Sequence, residues 1–164
     1  MRLTDMSLPE APSVASTLTY TDGSSRKVYA TDIEVMFPLG RLIVSRTDLT
    51  GVITHANDAF VEMSGYTRDE LIGTPHHVLR HPDMPKIAFK GLWDDIAAGK
   101  KWHGYVKNLR KDGAYYWVYA TAVPNVRNGA IVGYTSVRRK PSRTRVNELI
   151  PVYQQWLDQE KAAS

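Results

Sequence analysis

Cysteine is absent from the 164 residues of this sequence. Its absence excludes a disulfide framework, a thiolate metal site and any chemistry that needs a cysteine nucleophile or a covalent cysteine adduct. Long hydrophobic runs are absent as well, since every apolar stretch is far shorter than the roughly 20 residues that span a bilayer, and the N-terminus lacks a signal-peptide pattern. We therefore expect a soluble chain that is not exported and has no membrane span.

Signatures of catalysis and of nucleic-acid binding are also missing. The sequence has no glycine-rich dinucleotide fingerprint and no Ser/His/Asp set at a recognisable spacing, so we expect neither an enzyme nor a metal site. The net charge is +4, but no zinc-finger or helix-turn-helix pattern accompanies the basic residues. The densest basic cluster is predicted to be a solvated linker rather than a nucleic-acid surface, with attraction to anionic lipid as an intermediate alternative. It contains Arg138, Arg139, Lys140, Arg143 and Arg145.

The length and the composition predict one domain with appendages. Residues 1–19 are rich in Ser, Thr and Pro and are predicted to be a flexible tail. Residues 20–41 form an N-terminal extension or cap with a short extended segment, and residues 42–140 form the core domain. Residues 141–164 are predicted to be a linker and an amphipathic exit helix, broken or delayed at Pro151.

Strand and helix patterns alternate within the core. "RLIVSRTD" and "GVITHA" predict a hairpin, and "NDAFVEMSGY" predicts a short helix that ends at Gly65. Thr67 and Glu70 have capping-box spacing and start a second short helix. "PKIAFKGLWDDIAAGK" predicts one longer helix with Phe89, Trp93 and Ile96 on one face. Three further runs, separated by Asp-Gly and Asn-Gly, predict a three-stranded antiparallel meander. The result is an α+β fold with helices over one face of the sheet.

One loop carries an unusual density of polar and rigid groups. "PHHVLRHPDMP", residues 75–85, contains three histidines, an arginine, an aspartate and three prolines. Prolines fix φ, so they hold the polar groups of a loop in place without the entropy loss of ordering a flexible segment. We therefore interpret this loop as a pre-organised segment whose polar groups point inward.

The motifs resemble those of PAS sensor domains. "ITHANDAF", "PHHVLRHPDMP", "GLW" and "KNLRKDGAYYW" are similar to the PAS domains of bacterial aerotaxis receptors and related chemotaxis receptors, over residues 40–157 approximately. The resemblance implies a five-stranded PAS sheet, noncovalent FAD binding and redox or oxygen sensing. It also implies signalling, as a homodimer, to a downstream HAMP or chemoreceptor signalling domain and a histidine kinase. The flavin-associated positions that it implies are Asn57, His76, Arg80, His81, Asp83, Trp93 and Asn108.

Several of these residues have a second interpretation. Arg80 suits a phosphate or a flavin carbonyl, or else a salt bridge with Asp83. Asp83 is favoured as a cap of the helix that begins near Pro85. His76 and His81, or His103 on a strand, keep heme open as an alternative cofactor.

The remaining positions also have two alternative roles each. Trp93 either packs in the core or stacks on a flavin or adenine ring. Asn57 and Asn108 are expected to approach the cavity from opposite sides, with a simple N-cap as the alternative for Asn57. Because there is no cysteine, a light-driven flavin-cysteine adduct is excluded. A heme-binding gas sensor and a cofactor-free dimerisation module stay as alternatives to the flavin sensor.

Overall fold

The computed structural model describes residues 3–164, which form a two-stranded hairpin followed by a five-stranded antiparallel sheet with helices on both faces. The strands are β1 (Ser13–Thr19), β2 (Ser25–Thr31), β3 (Ile43–Thr47), β4 (Ile53–Ala56), β5 (Trp102–Leu109), β6 (Tyr115–Arg127) and β7 (Ala130–Arg139). The helices are α1 (Asp58–Ser64), α2 (Arg68–Leu71), α3 (Leu92–Ala97) and α4 (Arg143–Ala163), with a first 3-10 turn at His76–Leu79 and a second at Lys86–Phe89. The five-stranded sheet has the order β4-β3-β7-β6-β5.

The N-terminal segment differs from the predicted tail, because residues 13–19 form strand β1. This strand pairs with β2 from Ser13 opposite Thr31 to Thr19 opposite Ser25. No residue of β1 is fully buried, so the strand lacks the apolar alternation by which sequence reasoning finds strands. Buried Arg26 attaches the hairpin to the domain by donating to the Val78 carbonyl and to the Tyr66 hydroxyl. It also donates to the carbonyl of Thr4 in the segment that precedes β1. The extended segment predicted within 20–41 is confirmed as β2.

The meander and the first hairpin are confirmed. β5 pairs with β6 and β6 with β7, both antiparallel, while β3 pairs with β4 and β7. The β6–β7 connection contains Asn128 and Gly129 with φ of 51° and 78°. Positive φ at both central residues is what a type I′ hairpin turn requires, so the Asn-Gly pair sets this connection.

The two short helices also have the limits that their capping residues predicted. The Asn57 side chain accepts from the Phe60 N–H at the start of α1, and Gly65 ends that helix with φ of 76°. Thr67 and Glu70 form both bonds of a capping box around α2. The prediction of a single longer helix over residues 85–100 is wrong. Lys90 leaves helical geometry and Gly91 takes φ of 82°, a left-handed conformation that splits the segment into a 3-10 turn and α3.

The two faces of the sheet bury different partners. Alternation along the strands places Asn108, Tyr116 and Arg138 on the inner face, which α1, α3 and the 3-10 turns cover. Helix α4 packs on the outer face, where Tyr153 stacks on Trp117 at 6.0 Å between ring centroids. The Tyr153 hydroxyl also donates to the Tyr105 carbonyl over 2.8 Å. The sheet therefore separates an inner cluster of polar side chains from the exit helix.

The exit helix is confirmed, but the expected break at Pro151 is wrong. Helix α4 begins at Arg143, capped by Ser142, and continues through Pro151 to Ala163. A proline inside a helix frees the carbonyl four residues earlier, here that of Asn147. Because Asn147 and Pro151 are both exposed, water can satisfy that carbonyl. None of the helices within residues 3–164 is long and apolar enough to cross a membrane.

Candidate cofactor site

A buried arginine lies at the centre of the inner face. Arg138 is only 3% exposed, although the sequence placed it in a solvated basic cluster, so that prediction is wrong for this residue. Its Nη1 donates to Ser45 Oγ over 2.7 Å, and its guanidinium lies 4.6 Å from the centroid of the Phe60 ring. Burial lowers the pKa of Arg138 to about 10, which still leaves the side chain charged at neutral pH. Its Nη2 is buried without a hydrogen-bond partner.

His76 lies against this arginine. Its Nε2 is 3.4 Å from both Ser45 Oγ and Arg138 Nη1, and its ring stacks on Phe60 at 5.9 Å. Burial, reinforced by the Arg138 cation, lowers the pKa of His76 to about 3. The imidazole is therefore neutral and adds no charge to the site.

Asn108 and Tyr116 complete the inner face from the neighbouring strands. They lie opposite each other in the β5–β6 register and are 8% and 1% exposed. The Tyr116 hydroxyl makes no hydrogen bond, and burial raises the pKa of Tyr116 to about 12, so the phenol stays protonated. We call the whole group the inner cluster: Ser45, Phe60, His76, Asn108, Tyr116 and Arg138.

The loop at residues 75–85 borders this cluster along the edge of β5. Arg80 forms an isolated antiparallel bridge with Asn108, which joins the loop to the sheet. Its guanidinium donates to the Met84 carbonyl over 3.2 Å and lies 5.1 Å from the Phe89 ring centroid. Arg80 Nε is buried without a partner. Because Asp83 pairs with other groups, the alternative of an Arg80–Asp83 salt bridge is wrong.

His81 and Asp83 form a separate group on the other side of the β5 edge. The Asp83 N–H donates to His81 Nδ1 over 2.9 Å, and the Asp83 carboxylate binds Lys107 Nζ over 2.9 Å. Burial, together with the Lys107 cation, lowers the pKa of His81 to about 3. Burial opposes ionisation of Asp83, but Lys107 outweighs it and the pKa of the carboxyl is lowered. The predicted capping role of Asp83 is wrong, since Pro85 precedes the second 3-10 turn and no side chain caps it.

Asn57 lies at the far edge of the sheet and is fully used by the backbone. Its Oδ1 accepts from the N–H groups of Val44 and Phe60, and its Nδ2 donates to the Leu42 carbonyl. The N-cap alternative is therefore confirmed. Asn57 also lines an open surface cleft of about 600 Å³ beside β3 and β4. The structure places it away from Asn108, because β4 and β5 are the two outer strands of the sheet.

Trp93 lies at the surface rather than in the core. It is 53% exposed and meets Tyr134 of β7 edge to face, with ring centroids 6.1 Å apart. Since the helix predicted around it is split at Gly91, Trp93 does not share one continuous helix face with Phe89. The core-packing alternative is wrong, and an exposed ring beside the inner face is free to contact a bound molecule.

Comparison with known proteins places this arrangement in a family. A family profile described as "PAS fold" matches residues 53–138. This chain belongs to the PAS family. It is 51% identical to the aerotaxis receptor of Escherichia coli strain K12 over 111 residues. This match covers 68% of this chain and 22% of that receptor. It is 34% identical over 83 residues to the biofilm dispersion protein BdlA of Pseudomonas aeruginosa, covering 50% of this chain and 20% of that protein.

A solved PAS-type structure confirms the fold. The light state of the blue-light photoreceptor Aureochrome1 LOV matches with a TM-score of 0.60 and 24% identity, covering 66% of this chain and 88% of that one. The chain spans about a fifth of the length of the two curated relatives described above. The resemblance to PAS domains of aerotaxis receptors is confirmed by these matches.

Within the PAS fold, the predicted residues lie in four different places. His76 and Asn108 belong to the inner cluster, and Arg80 joins that cluster through its bridge to Asn108. His81 and Asp83 lie outside the β5 edge, Trp93 lies at the surface, and Asn57 caps α1. Their roles toward a cofactor stay predictions.

Sequence reasoning missed four members of the inner cluster, of which Phe60 lies on α1. Ser45, Tyr116 and Arg138 lie on three neighbouring strands, β3, β6 and β7. The period-two pattern could have found Arg138, because it places this residue on the same face of β7 as Tyr134 and Ser136. His103, considered as a heme ligand, faces outward, where it stacks on Tyr119 and pairs with the Thr121 hydroxyl.

Proposed function

We propose that this PAS domain binds FAD noncovalently and senses the redox state of its surroundings or oxygen. The observation that carries the proposal is the set of buried polar atoms without partners at the inner cluster and the adjoining loop. Buried polar groups are almost always hydrogen-bonded, so those without a partner indicate positions where a ligand supplies one. At the inner cluster and on Arg80, which bridges to it, these atoms are Tyr116 Oη, Arg138 Nη2 and Arg80 Nε. Three further buried atoms without partners within residues 3–164, His77 Nε2, His81 Nε2 and Tyr20 Oη, lie outside the inner cluster.

The chemistry of these groups fits a flavin. The isoalloxazine ring combines a broad apolar surface with carbonyl oxygens and ring nitrogens along one edge. Arginine and tyrosine supply donors for such an edge, while the Asn108 amide offers a donor and an acceptor. Phe60 supplies an apolar ring beside them. When bound, FAD would supply the redox chemistry, and the inner cluster would orient it and respond to its charge.

The route from the inner cluster to the exit helix is short. Asn108 and Tyr105 lie on β5, and the Tyr105 carbonyl accepts a hydrogen bond from Tyr153 of α4. Tyr116 and Trp117 are consecutive on β6, and Trp117 stacks on Tyr153. A shift of these strands by a change in hydrogen bonding would therefore alter the packing of α4. An output helix whose packing has two arrangements is a usual element of signalling transitions.

The likeness to an aerotaxis receptor supports the rest of the proposal. We propose that α4 leads to a HAMP or chemoreceptor signalling domain in a longer receptor, and that the receptor acts as a homodimer on a histidine kinase. The domain would lie in the cytoplasm, at the inner face of the membrane. We further propose that it catalyses no reaction and binds no nucleic acid.

The direct test is uptake of FAD by the purified domain, followed by flavin absorption and fluorescence. Wild-type protein should bind FAD stoichiometrically, and Asn108→Leu should bind it at least about tenfold more weakly, the equivalent of about 1.4 kcal/mol. Asn147→Leu, an exposed asparagine on α4, is the matched control and should bind normally. Equal affinity of the two variants would remove Asn108 from the site. A Soret band instead of flavin bands would transfer the function to heme.

A further inference from the structure

We propose that Arg138 is the group that binds the negative charge of the reduced cofactor and thereby raises its reduction potential. This inference rests on the proposed flavin binding and assigns a role to a residue outside the predicted flavin set. It also explains why an arginine occupies the inner face of β7.

The position of Arg138 is energetically unfavourable unless a ligand compensates it. The guanidinium is 3% exposed, and within residues 3–164 it forms no salt bridge. It donates two hydrogen bonds to uncharged groups, to Ser45 Oγ at 2.7 Å and to the Ser136 carbonyl at 3.4 Å. It also contacts the Phe60 ring and lies 3.4 Å from His76 Nε2. A buried charge is normally paired, because removing it from water is costly.

The neighbouring groups do not supply the missing anion. The imidazole of His76 is neutral, and the Tyr116 phenol is protonated, since burial shifts the pKa of each against its charged form. Ser45 and Asn108 are uncharged. The inner cluster therefore carries one net positive charge, and Arg138 Nη2 still has a donor to offer.

A reduced flavin supplies the complementary charge. Uptake of two electrons and one proton from an external reductant, such as dithionite, leaves the ring with one more negative charge than the oxidised form. A fixed guanidinium in a buried site stabilises that product over the neutral oxidised ring. Arg138 would therefore hold the couple at a higher potential than a neutral residue would.

The test is the reduction potential of the FAD-loaded domain, measured by titration with dithionite against a reference dye. Arg138→Gln should lower the potential by at least about 30 mV, which is a tenfold change in the equilibrium for a two-electron couple. Arg138→Lys, which keeps the charge, should retain most of the wild-type potential. Arg139→Gln is the matched control, because it removes the same charge from the exposed neighbouring position and should leave the potential unchanged.

The unfolding of the apoprotein separates this role from a structural one. An unpaired buried cation opposes folding, so Arg138→Gln and Arg138→Met should leave the urea midpoint unchanged or raise it. A midpoint that falls in both variants would assign Arg138 to structure and overturn the inference. So would a flavin-loaded Arg138→Gln, or Arg138→Met if the first does not fold, whose potential equals that of Arg139→Gln. A wild-type chain that takes up no flavin would overturn the proposed function and this inference together.

Discussion

Two histidines, the buried His81 and the partly buried His76, should make the stability of this domain fall steeply between about pH 7 and pH 5. His76 and His81 are neutral in the folded protein, and burial lowers the pKa of each to about 3. In the unfolded chain the same imidazoles titrate near their ordinary value of about 6.5. The unfolded state therefore binds more protons throughout the window between these values, and stability rises with pH across it.

The expected magnitude follows from the proton-binding difference. At about pH 5 nearly every unfolded molecule protonates such a histidine and almost no folded molecule does. Relative to about pH 7, each histidine then lowers the free energy of unfolding by about 2 kcal/mol, and the pair by about 4 kcal/mol. Carboxyl groups add little here, because unfolded Asp and Glu, with pKa values of about 4, are largely ionised at about pH 5 in both states. His77, whose pKa burial also lowers, acts in the same direction.

Urea unfolding followed by tryptophan fluorescence at several pH values measures the effect. His76→Gln and His81→Asn keep an acceptor near Nε2 and Nδ1 respectively without titrating. The double variant should lose about 4 kcal/mol less stability than the wild type between about pH 7 and pH 5. His55→Gln removes an exposed imidazole and should behave as the wild type does. A double variant with the wild-type pH dependence would refute the assignment of these two imidazoles as neutral in the folded protein.

Two further substitutions test packing. Arg26→Met removes three hydrogen bonds, two of which attach the β1–β2 hairpin to the domain, so the free energy of unfolding should fall by about 3 kcal/mol. Limited proteolysis should then cut the hairpin first, and unchanged protease resistance would contradict this attachment. Pro151→Ala restores an exposed backbone hydrogen bond inside α4, so the free energy of unfolding should rise by about 1 to 3 kcal/mol and the urea midpoint should rise with it. A lower midpoint would show that the proline stabilises the helix packing.

Local signals predicted most of the fold. Capping by Asn57, the Thr67–Glu70 box and the Asn128-Gly129 turn each act within a few residues, so the sequence contains all the information that fixes those elements. The split at Gly91 was missed because apolar spacing alone favoured one continuous helix. A glycine inside that pattern weakens it, and here its left-handed conformation ends it.

The missed features depend on contacts distant in sequence. The hairpin β1–β2 is held by Arg26, whose partners include a carbonyl 52 residues away at Val78. Arg138 lies in a run of basic residues, so composition predicted an exposed position, while strand alternation and the contact with Phe60 placed it inside. Asn57 is the opposite case. It was expected at the cofactor site, but its side chain makes local hydrogen bonds that cap α1.

The central claim is that the inner face of this PAS domain binds a flavin. The most direct measurement is the near-ultraviolet and visible absorption spectrum of the purified domain, before and after supplying FAD, with dithionite reduction and re-exposure to air. We expect flavin bands that bleach on reduction and return in air. A Soret band, or a colourless protein that takes up no FAD, would contradict it.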